Sequence, residues 1–118
     1  GALIQSPEGL LYKVGVADMA HNYYDVPCMG YGGNTSAKLL DAQAGSEKAQ
    51  SFMAFILMAS DVLSGAGELD DALCMCPEAL VIDNEMIGEV FKFVEKYEIN
   101  DDTLALDIIR EVGPGGHF

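Results

Sequence analysis

From Pro7 onward the chain reads PEGLLYKVGVADMAHNYYD, with Leu11, Val14, Ala17, Met19 and Ala20 recurring at helical spacing. That pattern predicts a first helix opened by Pro7 and Glu8 and weakened at Gly15, since glycine inside a helix costs about 1 kcal/mol relative to alanine. Val26-Pro27-Cys28-Met29 then reads as a short buried strand that runs straight into a glycine-rich loop. A second helix is predicted from Asp41 or Ala42. Phe52, Phe55, Ile56 and Ala59 share one of its faces, Met53, Leu57 and Met58 lie close beside them, and Lys48 reads as a polar position. Its second half is apolar almost all round, so it should be covered on more than one side.

Asp61-Val62-Leu63-Ser64 reads as a second strand, with Gly65-Ala66-Gly67-Glu68 as the loop at its end. After Pro77 a long helix is predicted. Glu85, Glu89, Lys92 and Lys96 form its polar face, opposed by Met86, Val90, Val94 and Tyr97 and widened by Ile87 and Phe91. Asn100-Asp101-Asp102-Thr103 supplies cap residues for one last helix carrying Leu104, Ile108, Ile109 and Val112, stopped by Gly113-Pro114. The order is helix, strand, helix, strand, then two helices. Short strands feeding helices through glycine-rich loops predict an α/β fold of parallel βα units, helix-rich, without a fixed-period repeat or a low-complexity linker.

Composition narrows the function classes. At 118 residues, half of them apolar, the chain suits one modest domain and should bury roughly two thirds of the surface its unfolded form exposes. Nineteen acidic against six basic residues leave a net charge of -13, which repels nucleic-acid backbones and anionic lipid. Three cysteines, Cys28, Cys74 and Cys76, make an odd, sparse set, and a reduced, cytoplasmic setting is expected. Cys74-Met75-Cys76 is C-x-C rather than the C-x-x-C of zinc and redox sites, and His21 and His117 lie far away in sequence, so no metal site is expected. The apolar run 52–59 is shorter than the roughly 20 residues a membrane helix needs. No basic-then-apolar leader opens the chain, which starts at Gly1 rather than methionine, and a cut at that end is expected.

The segment GYGGNTSAKLLDAQAG, residues 30–45, holds the densest candidate chemistry. A phosphate loop requires lysine after glycine and a hydroxyl residue after the lysine, but Lys38 follows Ala37 and precedes Leu39. A dinucleotide fingerprint requires a third glycine where Thr35 stands. The glycines alone suit a tight turn. A third reading is a ligand-binding loop after a strand, where α/β proteins place their sites, with Asn34, Thr35, Ser36, Lys38, Asp41 and Gln43 as its polar groups. Glu68 is either a loop acid facing a ligand or a solvated carboxylate. Tyr23, Tyr24, Phe91 and Phe93 read as packing residues rather than a cation cage.

The segments VPCMGYGGNTSAKLLDAQAGSEKA, VIDNEMIGEV and INDDTLALDIIREVGPGGHF resemble the C-terminal half of the trimethylamine methyltransferase family, which includes glycine betaine and related quaternary-amine methyltransferases. The most specific blocks are D-A-Q-A-G at Asp41 to Gly45, V-I-D-N-E at Val81 to Glu85, and the run from Asp101 to His117. The resemblance implies a fragment of a TIM (β/α)8 barrel, residues 1–118 being a partial methyltransferase domain truncated at both ends. A whole barrel takes about 250 residues. The implied activity is transfer of a methyl group from a tertiary or quaternary amine to the cobalt of a separate corrinoid protein, with the fragment inactive by itself. No corrinoid would be bound directly: Asp18-Met19-Ala20-His21 is D-x-x-H, not the D-x-H-x-x-G of cobalt-ligating proteins, and His21 reads as a helix-surface residue.

On position, Tyr31, Asn34, Asp41, Gln43 and Glu68 are then expected to line the substrate pocket, with His117 near its rim and no catalytic role assigned to any of them. Gly67-Glu68-Leu69-Asp70 departs from the family's usual apolar residue and glutamate there, which bears on the choice of amine. Some relatives carry pyrrolysine; this sequence shows no nonstandard residue. The alternative from another class is a small acidic interaction or scaffold module that reuses a barrel segment. With half a barrel missing, the sheet edges and the apolar face of Phe52 to Ala59 would lack their normal cover, which predicts a homo-oligomer.

Overall fold

A computed structural model describes residues 5–117 and shows an α/β chain of helices and short strands. Helix α1 (Pro7–Asn22) starts where the Ser6 hydroxyl accepts the Gly9 amide at 3.1 Å, and Pro7 occupies a first-turn position that needs no amide partner. Strand β1 is Met29–Tyr31, not the buried 26–29 segment expected. Pro27 has no amide to give a ladder, and the Cys28 amide is taken by the Asp61 carboxylate at 2.8 Å. Val26 and Met29 are exposed, and the buried residue of the strand is Gly30.

Helix α2 (Ala42–Leu57) is capped by Asp41, whose Oδ1 accepts the Gln43 and Ala44 amides at 3.0 and 3.1 Å. Strand β2 (Val62–Ser64) then runs parallel to β1, pairing Met29 with Val62, Gly30 with Leu63 and Tyr31 with Ser64. Residues 29–64 therefore form a parallel βαβ unit. Alternation along the strands puts Gly30 and Leu63 on the helix side, where Phe52 and Phe55 of α2 are buried. A Cβ at Gly30 would stand 2.6 Å from a Phe55 ring carbon, so only glycine lets this helix lie on this strand. Met29 and Val62 occupy the other face and are 65% and 54% exposed. Cover on α2 comes from α1, both strands and the next long helix; Leu57 stays exposed, and Ala59, expected on the helix, lies past its end with φ 54°.

The next element, a small hairpin, leaves no sign in the sequence pattern. Glu68 is not the end of a loop but the start of β3 (Glu68–Leu69), which pairs antiparallel with β4 (Cys74–Met75). Two-residue strands are too short to show a period. Helix α3 (Pro77–Val94) packs on α2 with Ala79 and Val90 buried, while Lys96 and Tyr97 fall beyond its end. The last helix is two: α4 (Asp101–Leu104) and α5 (Leu106–Val112), separated by Ala105 at φ 50°. The expected cap is present, with Asn100 and Thr103 bonded reciprocally, and so is the stop at Gly113, with φ 65°. Alanine favours helix, so nothing in the pattern marks the break. Tyr23, Tyr24, Phe91 and Phe93, expected as packing residues, are exposed.

The molecule is open. Its Cα radius of gyration is 18.9 Å, against about 13.5 Å for a compact domain of this length. Its accessible surface is 8309 Å², where about 6,200 Å² is typical for a folded monomer of its mass. Folding alone thus hides somewhat over half of the unfolded surface, short of the two thirds expected, because α4 and α5 bury no residue and one sheet face is bare. Among the described residues no helix is long and apolar enough to cross a membrane.

Candidate functional site

The two parallel strands end together at Tyr31 and Ser64, and the segments leaving those ends build one polar region. The amides of Gly32 and Gly33 both donate to the Ser64 carbonyl, at 3.1 and 3.0 Å. They are therefore not free to cradle an anion, and the first turn of α2 is already occupied by the Asp41 carboxylate. The amides that a phosphate loop would offer at these positions are thus already engaged. Gly33 instead lets the two loops touch: a Cβ there would lie 2.2 Å from the Gly65 carbonyl carbon and oxygen.

Beyond Gly33 the loop is fixed from two sides. The Thr35 hydroxyl and the Ser36 amide donate to Glu47 Oε2 of α2 at 2.5 and 2.9 Å, and Gln43 Nε2 donates to Glu47 Oε1 at 2.9 Å. Burial pushes the Glu47 carboxyl up, but these hydrogen bonds outweigh it and hold the group below its ordinary value. From the other side, the β3–β4 tip clamps the loop. The Asp70 and Asp71 amides donate to the Ala37 and Thr35 carbonyls at 2.8 Å each, and the Ser36 hydroxyl meets Asp71 Oδ1 at 3.1 Å. Asp70, Asp71 and Ala72 all take left-handed φ, between 52° and 70°, to make that tip. Ala37, Ala44 and Leu69 close a small apolar cluster beneath it, with Cys76 against them.

Across this region the Tyr31 hydroxyl donates to Glu68 Oε2. That bond, with burial and the carboxylate charge adding to it, pushes the phenol up to about 12. Tyr31 therefore stays a neutral phenol at physiological pH and cannot act as a base. Asn34 is 2% exposed, and its Oδ1 has no hydrogen-bond partner among the described residues. A cleft of about 270 Å³ opens beside Tyr31, between α1 and β1, lined also by Lys13, Cys28, Met29 and Phe55. Burial lowers the Lys13 ammonium below its ordinary range, and the Asp71 carboxylate opposes that.

Of the six residues expected to line a pocket, the structure joins Tyr31 to Glu68 directly and buries Asn34 three residues past Tyr31. Asp41 and Gln43 are exposed at the start of α2, one as its cap and the other bonded to Glu47. His117 lies exposed beyond α5, and no hydrogen bond or ion pair among the described residues joins it to the others. His21 is not an idle surface residue: its Nε2 stands 2.9 Å from Asp61 Oδ2, tying α1 to the opposite, N-terminal end of the strands.

The residues that sequence reasoning missed lie beneath the site. Lys48 Nζ of α2 pairs with Asp83 Oδ2 of α3 at 2.6 Å, both side chains fully buried. The same Asp83 oxygen accepts the Gly67 amide at 2.7 Å. A signal was available. Lys48 precedes Phe52 and Phe55 by four and seven positions, and Asp83 follows Ala79 by four and precedes Val90 by seven, so each charge stands on a buried stripe. Two opposite charges each placed on an apolar face point to a buried pair.

Comparison with known proteins agrees with the resemblance. The family model for trimethylamine methyltransferase matches residues 1–118. The glycine betaine methyltransferase of Desulfitobacterium hafniense (strain Y51) is 38% identical over 116 residues, covering 98% of this chain and 24% of its own length. A trimethylamine methyltransferase of Methanosarcina thermophila is 35% identical over 117 residues, covering 99% of this chain and 24% of its own. One from Methanosarcina mazei is 36% identical over 117 residues, with 99% and 23% covered. The chain spans about a quarter of the length of these curated relatives.

Proposed function

The chain belongs to the trimethylamine methyltransferase family, and from that premise we propose that it is the part of a TIM-barrel methyltransferase that contributes two βα loops to the mouth of the substrate pocket. The pocket takes a methylated ammonium ion, and the methyl group passes to the cobalt of a separate corrinoid protein, which is the acceptor substrate. The observation that carries this reading is the hydrogen bond from Tyr31, which ends β1, to Glu68, four residues past the end of the parallel strand β2, on the side where barrels keep their chemistry. A neutral aromatic ring beside a carboxylate suits a cation that has few hydrogen bonds to offer. The net charge of -13 attracts such a substrate and repels phosphorylated ones.

The chemistry asks little acid–base work of these residues. A quaternary ammonium leaves as a neutral tertiary amine once its methyl carbon is attacked, so orientation and exclusion of water matter most. A tertiary amine must first be protonated or otherwise activated, because an amide anion cannot leave. Glu68 would hold the positive nitrogen, Tyr31 would hold Glu68 and present its ring, and Asn34 offers a buried carbonyl acceptor just behind. Asp41 and Gln43 set the start of α2 and act on the pocket through the loop they anchor.

A chimera tests the site. The 118 residues replace the matching segment of the Desulfitobacterium glycine betaine methyltransferase, and methyl transfer from glycine betaine and trimethylamine is followed with a corrinoid protein present. Glu68→Gln is expected to lower kcat/KM about tenfold or more, corresponding to roughly 1.4 kcal/mol of lost charge attraction. Full transfer by the Glu68→Gln chimera would remove the pair from the pocket. The chain by itself, given the same corrinoid protein and amines, is expected to show no turnover.

The bare sheet face of Met29 and Val62 and the open edges of a two-stranded sheet predict how the isolated chain behaves. Parallel sheets are stable with both faces covered. The purified chain is therefore expected to self-associate, and light scattering that gives a monodisperse monomer would contradict this.

A further inference from the structure

We propose that Asp83 is a positioning residue: by accepting the Gly67 amide it fixes the Glu68 carboxylate against the Tyr31 hydroxyl. The significance of that placement rests on the pocket reading above; the placement itself does not. Asp83 Oδ2 lies 2.7 Å from the Gly67 nitrogen and 2.6 Å from Lys48 Nζ, with no exposure of either side chain. An ion pair that only bolted α2 to α3 would need no backbone amide. Here one oxygen serves both, so the loop that carries Glu68 is pinned to the helix pair.

Gly67 is where pinning matters. Its φ of +81° belongs to the left-handed region, and its carbonyl accepts the Cys76 amide at 2.8 Å, so both of its polar groups are held. Glu68 comes immediately after, in a strand of two residues that has too few ladder bonds to hold its own direction. Lys48 supplies the counter-charge that a fully buried carboxylate needs. The chain of control therefore runs from Lys48 through Asp83 and Gly67 to Glu68 and Tyr31.

Two double variants separate anchoring from packing and charge. Lys48→Met/Asp83→Leu and Lys48→Met/Asp83→Asn both remove the two charges at similar volume, but only asparagine keeps a carbonyl acceptor for the Gly67 amide. The full chain is labelled with carbon-13 at the tyrosine hydroxyl carbon. The Tyr31 signal is assigned by its loss in Tyr31→Phe and titrated by NMR while circular dichroism follows the fold. Tyr31 is expected to titrate near 12 in the unaltered chain and in the asparagine variant. In the leucine variant it is expected to fall toward the ordinary value of 10, a roughly hundredfold change in proton affinity.

A leucine variant that keeps Tyr31 near 12, or an equal fall in both variants, overturns the proposal. Loss of fold in both overturns it too, since Asp83 would then serve folding alone. The titration needs neither substrate nor turnover, so it fails separately from the methyl-transfer reading. A chimera indifferent to Glu68→Gln would end that reading and leave the anchor standing.

Discussion

Lys48→Met alone is expected to destabilise the chain by about 3–5 kcal/mol, the cost of leaving a buried charge without its partner. Asp83 has no exposure, and its Oδ1 already lacks a partner among the described residues, so removing Lys48 leaves the carboxylate only the Gly67 amide. The expected loss is a large share of the stability of any domain this size. Urea unfolding followed by circular dichroism measures it, and Lys48→Met/Asp83→Leu supplies the contrast. With both charges gone and an apolar pair in their place, most of the loss should return, because two desolvation penalties disappear together with one attraction. A single-variant loss under about 1 kcal/mol would mean that water reaches the pair, as at surface salt bridges.

This pair also marks what could and could not be read along the chain. Helices α2 and α3 were legible because each carries a period and a start signal, Asp41 and Pro77 standing ahead of stripes that include the buried Phe52, Phe55 and Val90. Helix α1 begins where Pro7 announces it, but its expected apolar face is not one: Ala17 is buried while Leu11 and Met19 are exposed. Strand β1 slipped by three residues because its decisive side chain is absent; Gly30 is buried against Phe55 and has no hydrophobicity to announce it. The β3–β4 hairpin was invisible, since its tip takes left-handed φ at Asp70, Asp71 and Ala72 rather than at the glycines that normally signal such turns. At Ala105 local propensity argued for continuity, and with α4 and α5 burying no residue, no core decides the matter.

The candidate site obeyed the same logic. Tyr31 and Glu68 could be named from their place after strands, yet their hydrogen bond spans 37 residues and depends on the hairpin that no local pattern reveals. Glu47 was missed although it holds Thr35 and Ser36, because at the surface end of a helix a glutamate reads as solvated until the loop is seen folding back on it. Position after a strand is enough to nominate a side chain. Side chains that bind other loops emerge only with the packing.

Gly33→Ala is the second change expected to act strongly. The added methyl would stand 2.2 Å from the Gly65 carbonyl carbon and oxygen and 2.5 Å from the Ala66 nitrogen. All three are backbone atoms, so no rotamer relieves the clash and the two loops must separate. Overpacking costs roughly 1–3 kcal/mol, and this case belongs at the upper end or beyond. Separation should also break the paired bonds from the Gly32 and Gly33 amides to Ser64 and carry Glu68 away from Tyr31, so the effect is local as well as global. Amide hydrogen exchange reads it directly: Gly32 and residue 33 are expected to lose protection while the middle of α2 keeps it. Gly45→Ala supplies the opposite sign. Gly45 lies within α2 with nothing inside 4 Å of an added Cβ, and alanine there should stabilise the helix by about 1 kcal/mol. If Gly33→Ala unfolds no more easily than the unaltered chain and keeps those amides protected, the close crossing of the two loops is not what holds the site together.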